Sequence, residues 1–241
     1  MSFVKSAFWR SVKETDYTQG ALLYYGSYRS PHSHRPSSYS EAAIRAEDFL
    51  FAHMKNQKAN PLVKPFIEKP PKSVLDLMGT GINTLSMAEK GTKVAVIHNI
   101  SRILDSFPAK DRLPNIELFS ADLTKVECFG EGVDLVIAVE ALSLIPPSAL
   151  RSTLQKIHYC LCKEGVFIGT ILTAGYSLDA QEGLKQIGFA FYGGGQFFVR
   201  QLLQYSGFKV EELVEIFPGD FSFKASKQVL EDSLSYTNYQ K

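Results

Sequence analysis

The sequence is short of cysteine, has no excess of charge of either sign and contains no long apolar run; each shortage excludes a class of protein. Its cysteines are three, Cys128, Cys160 and Cys162. Cys160 and Cys162 stand too close for an ordinary bridge, and the spacings do not form a metal-ligand set. They read as reduced, partly buried cysteines of a cytosol-like compartment, so a cytoplasmic protein with no metal site is expected. Lys plus Arg number 26 against 25 for Asp plus Glu. A protein whose main task is gripping nucleic-acid phosphates usually shows a basic excess, so no nucleic-acid partner is expected. No apolar run reaches the roughly 20 residues that span a bilayer. The first segment also lacks the apolar stretch and small-residue site of a secretory signal. No internal repeat is present, and the one biased segment is a Ser/His/Pro-rich loop.

What is present is enough apolar material, 45% of the chain, to fill the core of a sizeable domain. The chain divides at Pro70-Pro71, into an N-terminal helical and loop extension (1–71) and a core (72–241). In the extension, Phe3, Val4, Ala7, Phe8 and Val12 fall on one helical stripe, which suits a helix docked on the domain or, as a sharper alternative, a targeting or membrane-surface helix. Residues 17–39 are rich in Tyr, Ser and His and read as loop. Ser40 and Glu41 then precede a helical pattern through Met54.

From Lys72 onward, short apolar runs alternate with helical stretches. Strands are expected at 73–77, 94–97, 116–119, 133–139 and 165–172, with helices at 83–90, 101–107, 150–161 and 196–205. Fully apolar strands separated by helices mean a buried, mostly parallel sheet covered on both faces. Residues 209–217 and 221–225, joined by a Pro-Gly-Asp turn, read as a terminal antiparallel hairpin. The fold class is therefore α/β, a Rossmann-like, doubly wound sheet of seven strands with an N-terminal lid region.

In such a sheet, ligands bind beyond the carboxyl ends of the strands. The turn after the first strand holds Gly79, Thr80 and Gly81, where backbone can turn tightly and approach a ligand. With what flanks it, Val74-Leu-Asp-Leu-Met-Gly-Thr-Gly81 resembles the nucleotide loop of the class I S-adenosylmethionine-dependent methyltransferases. Residues 83–94 are similar to their first helix and second strand. Ser120-Ala-Asp-Leu123 falls where that family places an acid near adenine. Leu161-Cys-Lys-Glu-Gly-Val166 resembles its Leu-Lys-Pro-Gly-Gly turn, and Gly207-Phe208 its Ala-Gly-Phe element. The similarity covers roughly residues 72–226.

The resemblance implies S-adenosylmethionine as cofactor and S-adenosylhomocysteine as product. Asp76, Met78, Gly79, Thr80 and Gly81 would shape the pocket at its amino-acid end. Asp122 would accept from the adenine amino group and Leu123 would pack beside the ring; a plain turn cap is the alternative role for Asp122. Val139 would line the place where donor and acceptor meet. The pattern departs from the family at two points. The glycine loop is one residue short, with Met78 near a glycine position, where its side chain could crowd the backbone approach. After the second strand, His98 and Asn99 stand where an acid commonly holds the ribose, and each can make one such bond without the charge.

The extension is similar to the aromatic lid of small-molecule members, with Tyr24, Tyr28 and Tyr39 as candidates, although the same rings would also pack on any apolar surface. His32 and His34 could bind a metal or act as bases, or be solvated loop residues. Glu140, following an apolar strand, could orient an acceptor or act as a base. Catalytic candidates are thus Glu140, Tyr28 and His32. Pro146-Pro147 lacks the flanking residues of an amino-methylating motif and reads as a helix start. The function this implies is methyl transfer to an O, N or C nucleophile of a small molecule. The alternative is a protein of this fold that no longer transfers methyl groups, acting as a regulatory partner or a cyclase-type enzyme.

Overall fold

The computed structural model describes residues 59–107, 112–175 and 190–228. Its centre is one seven-stranded sheet in the order β3-β2-β1-β4-β5-β7-β6. The strands are β1 (Ser73–Leu77), β2 (Lys93–His98), β3 (Ile116–Ser120), β4 (Val133–Ala138), β5 (Leu161–Leu172), β6 (Phe208–Phe217) and β7 (Asp220–Lys227). β1 to β5 pair in parallel. β7 runs antiparallel between β5 and β6, so the expected terminal hairpin is present with its second strand inserted into the sheet.

β1 is buried at every position, and β2 and β4 at nearly every one. This is why they read as continuous apolar runs and not as alternating ones. The connecting helices are α1 (Lys64–Glu68), α2 (Leu85–Glu89), α3 (Ser101–Asp105), α4 (Pro147–Cys160) and α5 (Gly195–Tyr205). Successive crossovers to β2 and β3 run one way from β1, and those from β4 to β5 run the other. Right-handed connections therefore place α2 and α4 on opposite faces. Val74, Val96, Leu135, Ile137 and Ile168 pack with Met87 and Ala88 of α2 on one face. Leu75, Ile97, Val136 and Phe167 pack with Leu150, Leu154 and Ile157 of α4 on the other.

α4 begins at Pro147, with Pro146 as its N-cap, as the Pro-Pro pair suggested, and so starts earlier than the apolar pattern from Leu150. β5 begins at Leu161 because that residue pairs with Val133 across an irregularity before regular pairing resumes at Val166. The cysteines are free. Cys160 is buried at the end of α4, while Cys162 in β5 and Cys128 are half-buried. Among the described residues no helix is long and apolar enough to cross a membrane. The stretch before Pro70 packs on the core: Val63 is fully buried among the residues of the α2 face. The expected N-terminal stripe, the lid tyrosines Tyr24, Tyr28 and Tyr39, and His32 and His34 all lie outside the described residues.

Candidate active site

Parallel pairing brings the carboxyl ends of β1, β2, β3 and β4 to one edge of the sheet. There Leu77 is in register with Ile97 and His98 with Ser120. The loop after β1 starts with a conformation that L side chains avoid, since Met78 has φ 60°. Such a residue costs about 1–2 kcal/mol where a glycine would cost nothing. Its amide donates to the Ile97 carbonyl at 2.6 Å, and its side chain is buried in the core cluster on the α4 face. The Met78 side chain, which the sequence suggested could crowd this turn, points into the core cluster.

Asp76, two residues earlier, is buried, and its Oδ2 accepts from the Thr84 hydroxyl at 3.0 Å. Burial pushes its carboxyl up to about 7, against the opposing pull of the Thr84 hydrogen bond. Gly79 is required by this carboxyl, because a Cβ there would land inside contact distance of it. Gly81 has φ +90°, and a Cβ on it would meet the Phe107 ring at 2.9 Å. Thr80 between them is half-buried. Both glycines therefore have a steric reason to be glycine.

At the end of β2 the polar groups are handled differently. His98 is fully buried, and its Nδ1 accepts from the Ile100 amide at 2.9 Å. Burial pushes its pKa down to about 3, so the ring is neutral. With Nδ1 accepting, the ring proton sits on Nε2. That Nε2 and the neighbouring Asn99 Oδ1 are buried and have no hydrogen-bond partner among the described residues. A donor and an acceptor that are buried at successive positions without a partner are groups that the hydroxyls of a ribose would satisfy, so in their chemistry these residues fit the expected cofactor.

After β3, Asp122 Oδ1 accepts from the Thr124 amide at 2.9 Å and the Thr124 hydroxyl at 2.7 Å. Its Oδ2 lies 3.6 Å from Lys125 Nζ. Asp122 therefore holds its own turn, and only Oδ2 retains capacity toward a ligand amino group. Leu123 beside it is buried. Lys156 fixes this turn from α4 by donating to the Thr124 carbonyl at 3.1 Å.

At the end of β4, Val139 is buried and Glu140 takes φ 61°. The Glu140 amide donates to Thr170 Oγ1 of β5 at 2.7 Å. Asp220 joins them at the start of β7, in register with Leu172. Its Oδ1 is buried without a hydrogen-bond partner among the described residues, and burial, then the nearby Glu140 charge, push its carboxyl up to about 6. Sequence reasoning did not single out Thr170 or Asp220. Asp220 read as a turn residue after Pro218-Gly219, and only the antiparallel course of β7 brings it to this edge. Glu140 is the one catalytic candidate that the described residues include. Among them, no group of His, Cys, Asp and Glu suits a metal ion.

Comparison with known proteins agrees with this layout. Residues 74–165 match the model of a methyltransferase domain. No curated protein matches the chain. Among solved structures, it resembles a 1,6-didemethyltoxoflavin-N1-methyltransferase from Burkholderia thailandensis bound to its substrate and S-adenosylhomocysteine, at 15% identity over 84% of this chain and 98% of that one, with TM-score 0.56. It also resembles an S-adenosylmethionine-dependent methyltransferase from Mesorhizobium loti, at 16% identity over 72% and 100%, with TM-score 0.58. A TehB-like S-adenosylmethionine-dependent methyltransferase from Corynebacterium glutamicum gives 13% identity over 79% and 100%, with TM-score 0.55. At these identities the likeness is one of fold. Residues 74–165 thus match the model of a methyltransferase domain, and the chain shares its fold with S-adenosylmethionine-dependent methyltransferases, whose cofactor is S-adenosylmethionine.

Proposed function

We propose that this chain transfers the methyl group of S-adenosylmethionine to an O, N or C nucleophile of a small molecule. The observation that carries the reading is that His98 Nε2 and Asn99 Oδ1, at the end of β2, are buried and have no hydrogen-bond partner among the described residues. When bound, the cofactor supplies a sulfonium methyl already activated for displacement, so alignment and the handling of one proton fall to the protein. In this reading Asn99 accepts from one ribose hydroxyl and His98 donates to the other. Asp76, Met78, Gly79, Thr80 and Gly81 shape the amino-acid end, and Asp122 with Leu123 borders the adenine. Val139 and Glu140 face the acceptor, and Glu140 orients it or removes its proton. Tyr28 and His32 belong to the same reading as lid residues.

The near-even charge balance supports a small acceptor over a polyanion. The similar B. thailandensis structure, which holds 1,6-didemethyltoxoflavin, is consistent with it. The test is methyl-labelled S-adenosylmethionine with pooled cell metabolites, RNA and protein as separate acceptors. Label is expected in the metabolite pool; label confined to RNA or protein would reject the small-molecule assignment.

One observation favours a second reading, a protein of this fold that has given up methyl transfer: Asp122 already spends Oδ1 on Thr124. Under that reading Asp122→Ala leaves cofactor affinity unchanged; under methyl transfer it weakens binding of cofactor and product alike.

A further inference from the structure

We propose that Asn60 is a positioning residue, which couples the loop after β1 to Glu140 at the end of β4 through a buried polar bridge. What the two ends do rests on the methyl-transfer reading; the bridge itself stands on geometry.

Asn60 precedes the 3-10 turn Pro61–Val63, and its Oδ1 caps that turn by accepting from the Leu62 amide at 2.9 Å. A cap needs nothing more, and Ser or Asp would serve as well. Asn60 does two further things. Its backbone amide donates to Asn83 Oδ1 at 2.9 Å, and its Nδ2 donates to Ser222 Oγ at 2.9 Å. The three residues are 5%, 3% and 1% exposed, so water cannot replace a lost partner. In that setting an unpaired group is costly, and the bonds hold or fail together.

Each end of the bridge meets a part of the site. Asn83 lies two residues past Gly81 and next to Thr84, whose hydroxyl holds Asp76. Ser222 is the register partner of Thr170 across β5 and β7, and side chains directly opposite on one face of a sheet are in contact range. Thr170 Oγ1 in turn accepts the amide of Glu140, fixing its left-handed backbone. A displacement of the glycine loop is thereby passed to the residue proposed to meet the acceptor, by way of one residue whose backbone amide meets a partner 23 residues away and whose side chain meets another 162 away.

The experiment is residue-resolved amide hydrogen exchange on the full chain, free and with saturating S-adenosylhomocysteine. Asn60→Ser keeps the cap but is too short to reach Ser222, and Ser222→Ala removes the acceptor from the other side. In the free protein each variant is expected to speed exchange at the Glu140 amide about tenfold, with little change at Val133 and Phe208 on the opposite sheet edge. S-adenosylhomocysteine is expected to slow exchange at Glu140 in the wild type but not in either variant, although both still bind it. Unchanged exchange at Glu140, or equal acceleration at Val133 and Phe208, would overturn the proposal and leave Asn60 as a staple of the fold. Should Asn60→Ser fail to fold, Ser222→Ala decides the same question. If the wild type does not bind S-adenosylhomocysteine, the methyl-transfer reading fails, while the free-protein comparison still decides the bridge.

Discussion

At the end of β1 the buried carboxyl of Asp76 is met by the Thr84 hydroxyl at 3.0 Å, whereas at the end of β2, the adjacent strand, His98 Nε2 and Asn99 Oδ1 are buried and meet no partner among the described residues. The two ends are in register, Leu77 beside Ile97, yet their buried polar groups are met differently. β1 ends in an arrangement complete within the chain, in which Gly79 makes room for Asp76. β2 ends in polar groups that have no partner among the described residues, which the proposed ribose contact would supply. Each buried polar atom left open costs about 1–3 kcal/mol, and the fold bears that cost at one of the two ends.

Titration sharpens this contrast most. Asp76 is held up to about 7 in the folded chain, so it stays protonated where the unfolded chain is ionised. Its contribution is fully present below the unfolded value near 3.8 and is lost as pH rises through 7, about 4 kcal/mol in all. His98 has the opposite sign. Held down to about 3, it favours the folded chain above the unfolded value of 6.5, and that stability is lost as pH falls toward 3, again about 4–5 kcal/mol. Between pH 4 and 6.5 the two nearly cancel. Asp76→Asn should therefore leave a protein whose chemical-denaturation stability climbs steeply with pH over that range, and His98→Gln one whose stability falls. The same slope in both variants would refute the contrast.

Steric tests come next. Gly79→Ala drives a Cβ into the Asp76 carboxyl and should cost about 3 kcal/mol in urea denaturation. The double variant Gly79→Ala with Asp76→Ala should recover part of that loss; no recovery would show that the glycine is needed for another reason. The smallest effect is at Asp122. Removing its carboxylate with Asp122→Ala costs the turn about 1 kcal/mol through the two Thr124 bonds. Methyl transfer also requires that it weaken S-adenosylhomocysteine binding several-fold.

The strands of the sheet were legible because a parallel strand buried on both faces is written as an uninterrupted apolar run, as in 133–139 against the observed Val133–Ala138. The loop after β1 was legible through its glycines, and His98 and Asn99 through their place at a strand end. The partners in space were not. Nothing local marks Ser222 as the acceptor of Asn60 or Thr170 as the anchor of Glu140, since the first contact exists only once β7 has been laid against β5 and the second only once β5 has paired with β4. The left-handed Met78 was also hidden, because a methionine carries no signal for positive φ and its cost is offset by the core it enters.

We propose that the end of β2 is a ribose site. Calorimetric titration of the wild type and Asn99→Leu with S-adenosylhomocysteine tests it most directly. The account predicts saturable binding of the wild type near the micromolar range, about −8 kcal/mol, and a loss of tenfold or more in Asn99→Leu. Folded wild type that does not bind, or an Asn99→Leu variant that binds equally well, would contradict it.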